Sequence, residues 1–332
     1  MNSFGRLLRV EIFGESHGSD LGVIIDGLPA GITINHQELN NFLQRRRPRL
    51  PGTTPRLEAD IPDFKSGVKN DVTTGAPVLI TFANANVRSA NYDQMQDIPR
   101  PNHTDFVANE KYFGCNEVRG GGHFSGRLTV GLVAAGYLAK QIIKNISIKA
   151  EIYQVANHCD YEEILKSAIE NKDSLGAEIH CRVENLPVGL GDPFFNSVES
   201  LLAHAIFSIP GVKAIKFGLE KSPSASFGSQ YNDPIINAQG TTLTNNSGGL
   251  VGGITNGNNL EFSLEVKPTA SIGKEQESYS FKENKIVKFN IPGRHDVCFG
   301  LRVPVIVEAV TALVLADLFL LRLAEERGYE SK

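Results

Sequence analysis

The chain is poor in the residues that mark several classes of protein. Its 332 residues include four cysteines, two methionines and no tryptophan. The cysteines are widely spaced and form no C-x-x-C pair, so we expect reduced thiols rather than a disulfide framework or a zinc site. No metal-ligand spacing of His, Cys, Asp or Glu is present either, and no metal is expected.

Targeting and membrane signals are also missing. The first residues, MNSFGRLLRVEIFG, lack the apolar region of a signal peptide. The most apolar stretch, residues 303–321, contains Glu308 and Asp317, which favours a buried core helix over a membrane span. A net charge of -4 gives no general reason to expect nucleic acid. We therefore expect a cytoplasmic protein that binds neither nucleic acid nor a membrane.

The apolar patterns that are present predict both helices and strands. Residues 128–144 and 305–327 are predicted as long, mostly buried helices, and each follows a glycine-containing loop with arginine and histidine. Alternating or continuous apolar runs predict strands at residues 22–26, 78–82, 179–183 and 260–266.

A weak internal similarity runs through these elements. DGLPAGI (residues 26–32) resembles ENLPVGL (residues 184–190), and each precedes a helical pattern. Two structurally related halves, about residues 1–150 and 151–332, would explain this, and so would chance similarity between strand–turn–helix segments. No Pro- or Ser-rich linker separates the halves, so one domain over residues 1–332 is predicted.

The stretch GESHG, residues 14–18, matches the G-x-S-x-G pattern of a hydrolase nucleophile. A strand can precede Ser16, but SDLGVIID after Gly18 is β-branched and does not begin a helix, and no HGG-type oxyanion motif comes before it. The hydrolase interpretation is therefore not favoured. His17 suits proton transfer near neutral pH, although a loop histidine that only caps backbone groups fits the same pattern.

Arginines and histidines recur in two further segments. QRRRPRL, residues 44–50, ends a predicted helix, where its arginines either favour the helix C-terminus or bind a phosphate or carboxylate. RPNHTDF, residues 100–106, places His103 between an arginine and an aspartate. This histidine is a candidate general acid or an ordinary loop histidine.

Glycine-rich loops supply anion-binding geometry. RGGGHFSGRLT, residues 119–129, runs into a helix N-terminus where backbone amides can approach a phosphate, but it is neither a Walker A motif nor G-x-G-x-x-G. SGGLVGG (residues 247–253) and KPTASIG (residues 267–273) add glycines and a Lys-Thr-Ser set, and GRHDVC (residues 293–298) adds consecutive Arg, His and Asp. Together these segments predict an enzyme for a phosphorylated, multiply anionic small molecule, with a phosphate-bearing cofactor.

The chain resembles the chorismate synthase family in motifs that occur in the family's order: FGESHG, DGLPAGI, RRRP, RPNHTDF, RGGGHFSGR, GGLVGGI, KPTAS and GRHD before the apolar helix. They extend from Phe13 to about Leu323. The resemblance implies an α/β (α+β) fold, a β-α-β sandwich with an internal pseudo-two-fold and long core helices between antiparallel sheets. It also implies a homotetramer.

The resemblance further implies a lyase of the shikimate pathway, on the route to the aromatic amino acids. Such an enzyme converts 5-enolpyruvylshikimate 3-phosphate to chorismate and phosphate by 1,4-anti elimination. It requires reduced FMN, with NADPH as one source of reducing equivalents. The chain has no reductase-sized extension, so we expect a separate flavin reductase.

Residue roles follow from the same resemblance. His17 matches the histidine that protonates the departing phosphate, and His103 matches the one that tunes the protonation of the reduced flavin. Asp296, with Ser16, matches the pair that relays the proton lifted by flavin N5. The flavin-contacting positions are His123, Phe124, Ser125, Gly252, Lys267, Pro268, Thr269, Ala270, Ser271 and Arg294. The substrate- or NADP-binding positions are Arg46, Arg47, Arg49, Arg119 and Arg127.

The chain departs from the family's pattern at several of these positions. Residues 123–125 are His-Phe-Ser where Arg-Ser-Ser is common, so one cation is replaced by a titratable ring. Residues 102–104 are Asn-His-Thr for Gly-His-Ala, and residues 210–211 are Pro-Gly for Asn-Ala. The second arginine on the NADP side has no clean match, and Arg49 is its expected substitute.

Three other functions stay open at this point. A conventional flavin oxidoreductase would consume NAD(P)H in step with its product. A non-catalytic phosphometabolite-binding protein would bind its ligand without turnover. A hydrolase would be labelled at Ser16 by a fluorophosphonate.

Overall fold

The computed structural model describes residues 2–48, 50–54, 56, 58–85, 93–291 and 295–330. The helices are α1 His36–Arg46, α2 Asp105–Lys111, α3 Thr129–Lys140, α4 Glu162–Glu170, α5 Val198–Ile206, α6 Gly228–Tyr231 and α7 Pro304–Glu330. The strands are β1 Ser3–Phe4, β2 Arg9–Gly14, β3 Asp20–Asp26, β4 Asp63–Ser66, β5 Val68–Lys69, β6 Val72–Thr73, β7 Val78–Ala83, β8 Ser147–Val155, β9 Ala177–Glu184, β10 Val212–Phe217, β11 Leu250–Val251, β12 Ile254–Thr255, β13 Leu260–Val266, β14 Gln276–Ser280 and β15 Lys285–Phe289.

Two antiparallel sheets enclose the long helices. The first sheet has the strand order β1-β2-β3-β7-β4, and the second has the order β10-β13-β9-β8. Helix α3 contacts the first sheet, α7 contacts the second, and the two helices pack against each other. The layers are therefore sheet, helices, sheet, and the expected β-α-β sandwich of the α+β kind is confirmed.

Apolar periodicity explains these layers. In β3 the buried side chains alternate at Leu21, Val23 and Ile25, whereas β13 is buried along almost its whole length. The close contact of α3 with α7 depends on a residue without a side chain, because a Cβ on Gly136 would lie 2.4 Å from Cα of Ala309. One hydrophobic core includes residues of both sheets and of helices α1, α3, α5 and α7.

The two sheets share a topology. In each half, two adjacent strands are followed by a helix and two further strands, which gives the order β2-β3-β7-β4 in one sheet and β8-β9-β13-β10 in the other. The similar turns DGLPAGI and ENLPVGL occupy the same place, directly after β3 and after β9. These correspondences support the hypothesis of two related halves in a single domain.

Predicted element bounds are close to the observed ones, with one exception. The strand predicted at residues 260–266 is confirmed as β13, Leu260–Val266. The first long helix is shorter than predicted, because α3 ends at Lys140 and the chain turns before β8. Helix α7 is long and apolar enough to cross a membrane, but 78% of its most apolar window is buried inside the protein. The expected core helix is confirmed.

Candidate active site

A cavity of about 850 Å³ lies where loops from both halves converge. Its charged lining residues are unbalanced in sign, with six cations against three carboxylates among the described residues. The cations are Arg46, Arg56, Arg100, Arg127, Lys267 and Arg302, and the carboxylates are Glu58, Asp60 and Asp296. Because this excess is partly buried, the cavity favours a ligand with several negative charges.

Ser16 and His17 lie in the loop after β2, and both are buried, with 1% and 9% of their surface exposed. Ser16 Oγ is 3.1 Å from His17 Nδ1, which lets the hydroxyl and the imidazole share a proton. The backbone fixes this pair, because Ser16 N–H donates to Gly122 O at 3.0 Å and Arg56 donates to Ser16 O at 3.0 Å.

The glycine-rich loop before α3 makes room for His17. Gly120 has a φ of +68°, and a Cβ there would lie 2.4 Å from Cε1 and 2.6 Å from Nδ1 of His17. Only glycine accepts both that backbone conformation and that approach. The loop therefore reaches the histidine with its backbone, as the sequence pattern suggests for a site that binds a ligand.

His103 is held by the aspartate that follows it. Its Nδ1 donates to Asp105 Oδ1 at 2.6 Å, and Asp105 is the first residue of α2. Burial lowers the pKa of His103 below its ordinary value, and the charges of Arg100 and Lys267 lower it further, against the opposing effect of Asp105. A neutral imidazole at pH 7 with its proton on Nδ1 leaves Nε2 as an acceptor.

Two buried arginines share one carboxylate. Arg46 Nη2 donates to Asp60 Oδ2 at 2.5 Å, and Arg127 Nη1 donates to Asp60 Oδ1 at 2.6 Å. These two cations lower the pKa of Asp60 although its burial acts in the opposite direction. Within the described part of the chain, Nε and Nη1 of Arg46 and Nη2 of Arg127 are buried without a hydrogen-bond partner. Such donors are costly unless a ligand accepts from them.

Asp296 lies on the second half's side of the cavity. Its carboxylate accepts from Arg302 Nη1 at 3.0 Å and from the backbone N–H of Thr54 at 2.8 Å. Arg302 is itself held by the carbonyl of Arg46, at 2.9 Å from its Nε. The carboxylate is therefore oriented at the cavity wall by groups from both halves.

The predicted cofactor-contacting residues lie mostly at the same cavity. His123, Phe124 and Ser125 line it, and His123 Nδ1 donates to Gly14 O at 2.8 Å. Residues 267–271 line it too, with Lys267 Nζ donating to Asn102 O at 2.5 Å. Thr269 Oγ1 is buried without a partner among the described residues.

Other predicted residues do not line the cavity. Arg47 donates to the carbonyl of Ala59. Arg119 pairs with Glu117, and this guanidinium lowers the pKa of Glu117 to about 2. Gly252 lies in the turn between β11 and β12. Arg49 and Arg294 fall outside the described residues.

Several residues of the site were not predicted from the sequence. Arg100 and Asp105 flank His103 in RPNHTDF, so the charges beside the histidine were an available signal. Asp60 gives no such signal, because its two arginines are 14 and 67 residues away along the chain. No group of three or more metal-ligating side chains is present in the described ranges.

The chain is similar to known proteins over nearly its whole length. Residues 8–320 match the model of the chorismate synthase family. The chain is 53% identical over 332 residues to the chorismate synthase of Chitinophaga pinensis, covering 100% of both chains. It is 42% identical over 347 residues to that of Pyrococcus abyssi, covering 96% of this chain and 97% of the other.

A solved structure agrees in fold. A crystal structure of chorismate synthase aligns with a TM-score of 0.71 at 23% identity, covering 96% of this chain and 93% of the other. The family match thus covers nearly the whole length of the chain. The chain belongs to the chorismate synthase family, and it is a lyase of that kind.

Proposed function

We propose that the chain converts 5-enolpyruvylshikimate 3-phosphate to chorismate and phosphate by 1,4-anti elimination, with reduced FMN bound in the same cavity. The observation that carries this proposal is the cavity itself, where cations outnumber carboxylates and where His17 and His103 are among the lining residues. The substrate has one phosphate and two carboxylates. Its charge complements that excess, and the reaction has no net change in oxidation state.

The residues at the cavity fit FMN. The unpartnered Thr269 hydroxyl suits an anionic or carbonyl oxygen, and Lys267 adds a cation close by. We propose that residues 267–271, with His123, Phe124 and Ser125, hold the flavin. When bound, reduced FMN supplies an electron-rich ring that stabilises the electron-poor substrate ring as phosphate leaves. The volume of about 850 Å³ is in the usual range for a ligand site.

The chain's own groups bind and activate the phosphate. Arg46 and Arg127 offer unpartnered N–H donors to an anionic ligand, while hydrogen bonds to Asp60 fix the orientation of both guanidinium groups. His17 protonates a phosphate oxygen as the C–O bond breaks, so the leaving group departs with less charge. Ser16 Oγ, at 3.1 Å from Nδ1, then supplies a route by which the imidazole regains a proton.

The other half of the elimination removes a ring proton. The C–H electron pair becomes part of the new double bond, and the C–O pair leaves with phosphate, so atoms and electrons balance. Asp296, oriented by Arg302 and Thr54, takes up the released proton at a carboxylate oxygen and passes it on with Ser16. His103 sets the protonation of the bound cofactor through Nε2, the ring nitrogen opposite the one that contacts Asp105.

Further aspects of the proposal concern the setting of the enzyme. We propose a homotetramer, a cytoplasmic location, and a separate flavin reductase with NADPH as one electron source. Gly252, Arg47 and Arg119 remain predicted ligand contacts, although this chain's cavity does not include them.

An anaerobic assay with 5-enolpyruvylshikimate 3-phosphate and dithionite-reduced FMN tests the reaction. Chorismate absorbance and phosphate release are followed together, with flavin absorbance recorded throughout. We expect equal, catalytic amounts of both products and an unchanged flavin. Flavin oxidation in step with product would instead indicate an oxidoreductase, and FMN binding without either product would indicate a binding protein.

A further inference from the structure

Arg100 is a buried residue that joins three segments of the candidate site. Only 4% of its surface is exposed. Its guanidinium makes four hydrogen bonds, two of them to the carboxylate of Asp105 at 2.7 Å each. The other two go to Gly120 O at 2.7 Å and Ser271 Oγ at 3.0 Å. Each acceptor belongs to a segment that carries or touches a proposed functional residue.

The first of these segments holds His103. Asp105 accepts from Arg100 at both oxygens, so its plane is fixed, and its Oδ1 is then aligned with His103 Nδ1 at 2.6 Å. A carboxylate accepts and cannot donate when ionised, so Nδ1 must carry the proton. The pKa of Asp105 is lowered, chiefly by hydrogen bonds from Arg100 and His103 that outweigh its burial, which keeps the carboxylate ionised.

The second segment is the glycine loop beside His17. Arg100 binds the carbonyl of Gly120, the residue whose missing Cβ leaves space for the His17 ring. A shift of this carbonyl would move the backbone against His17 or away from it. Arg100 thus fixes the loop that touches one histidine and the carboxylate that orients the other.

The third segment is residues 267–271 of the second half. Ser271 is buried, with 6% of its surface exposed, and its hydroxyl accepts from Arg100 Nη1. This contact ties the proposed flavin-binding segment to the two histidine loops. Two buried residues far apart in sequence, Arg100 and Ser271, therefore connect the halves at the site.

We propose that Arg100 is a positioning residue with two effects. Through Asp105 it holds His103 in the tautomer with Nδ1 protonated and Nε2 directed to the cavity. Through the carbonyl of Gly120 it fixes the loop beside His17. This inference rests on the proposed function, because it assumes that His103 Nε2 acts in the reaction. Asp105 does not line the cavity, so its contribution is through His103 and not by contact with a ligand.

Asp105→Asn is the sharpest test. An asparagine that keeps its oxygen at the Oδ2 position, where the backbone N–H and Nε of Arg100 both donate, turns its NH₂ toward His103 Nδ1. Nδ1 then must accept, so the proton moves to Nε2. We expect kcat to fall by roughly 10²–10⁴-fold, the range seen when a catalytic histidine is held in the wrong tautomer. KM for substrate should change by less than about threefold, because no ligand contact is removed.

The tautomer itself is measured by ¹⁵N NMR of the histidine rings in the intact protein. The chain has eight histidines, and the His103→Gln spectrum identifies the His103 signal. We expect protonated Nδ1 and unprotonated Nε2 in the wild type, and the reverse in Asp105→Asn. Protonated Nε2 in the neutral wild-type ring would overturn the proposal without any kinetic measurement.

Glu308→Gln is the matched control. Glu308 is also a buried carboxylate bound by an arginine fork, with Arg45 at 2.6 and 2.7 Å, but it lies outside the cavity lining. It should lose stability as Asp105→Asn does and keep both kcat and the His103 signal. An equal loss of kcat in the two variants would show a general structural effect and would overturn the proposal.

Arg100→Lys provides a second variant that does not depend on the folding of Asp105→Asn. Lysine keeps the charge but cannot bind Asp105, Gly120 and Ser271 together. We expect a mixture of His103 tautomers and a lower kcat. A wild-type kcat with an unchanged His103 signal would contradict the inference. If the wild type shows no turnover while the tautomers still change as expected, the proposed function fails and the positioning role stands.

Discussion

Four strands of the first sheet have the same order as the four strands of the second, but the connections around the two sheets differ in length and charge. The connection from α1 to β4 covers residues 47–62 and carries Arg56, Glu58 and Asp60 to the cavity. Its counterpart from α5 to β10, residues 207–211, has no charged residue. The difference shows that the repeated sheets supply a scaffold, and that unequal loops supply the chemistry.

The connections that lead into α3 and α7 are alike in their function. Both are long, and each brings proposed functional residues to the cavity, His103 from the first half and Asp296 from the second. The site is therefore symmetric in the placement of its loops and asymmetric in their side chains. Substitutions on the two sides can separate these contributions.

The largest effect is expected on the first-half side, at His17. Gly120→Ala would place a Cβ within 2.4 Å of the ring in a backbone conformation that alanine rarely adopts. We expect its kcat to fall by about as much as in His17→Ala, roughly 10²–10⁴-fold, because both remove the positioned acid. Steady-state kinetics measures both variants. A Gly120→Ala enzyme with near-wild-type kcat would show that the loop does not position His17.

Asp60→Asn should have the next largest effect, and on stability. It leaves Arg46 and Arg127 buried around a neutral group, and breaking a buried ion pair in this way costs about 3–5 kcal/mol. Urea unfolding measures the loss. Asp233→Asn in the second half's loop is the control, because that carboxylate accepts mainly from Thr244, Asn246 and Ser247 and is outside the cavity. Equal losses of unfolding free energy in the two variants would show that the ion pairs of Asp60 with Arg46 and Arg127 do not make this carboxylate more important for stability than Asp233.

Stability should also depend on pH in the acid range. The pKa of Asp60 and of Asp105 is lowered in the fold, and hydrogen bonds lower that of Asp233 to about 2 from an ordinary 3.8, although its partial burial acts in the opposite direction. The stabilisation from such groups is present above the unfolded-state pKa and is lost as pH falls through the folded-state pKa. We expect the melting temperature to fall steadily below about pH 4. Asp60→Asn should flatten this dependence, and a curve unchanged by it would contradict the assignment.

The smallest effect is expected at Thr269, on the second-half side. Thr269→Val removes the buried hydroxyl that lacks a partner among the described residues. We expect weaker FMN binding by about 0.5–1.5 kcal/mol, with no loss of stability in the absence of FMN. Fluorescence titration with FMN measures the change. Ser174→Ala is the control, because its hydroxyl donates to Thr269 O and does not line the cavity.

Much of the fold and part of the site could be predicted from the sequence. The strands and long helices follow from apolar periodicity, and His17, His103 and Asp296 stand in motifs with glycine, arginine or a hydroxyl beside them. Asp60 could not be predicted as a site residue, because its role depends on Arg127, which folding brings to it from a distant part of the chain. The pairing of Arg100 with Ser271 is equally invisible, since it joins the two halves.

The contact of Gly136 with Ala309 has a consequence for the cavity some distance away. The cavity is lined by residues before α3 and in its first turn, and by residues before α7 and at Val310 and Leu313 within it. The two helices touch at Gly136, about two turns further along α3, and at Ala309. The absence of a side chain at position 136 therefore contributes to the spacing between α3 and α7, and with it to the spacing of the loops that precede the two helices. We expect a larger side chain at position 136 to push α3 away from α7 at Ala309, and so to change the spacing of the loops at the cavity from within the apolar interior.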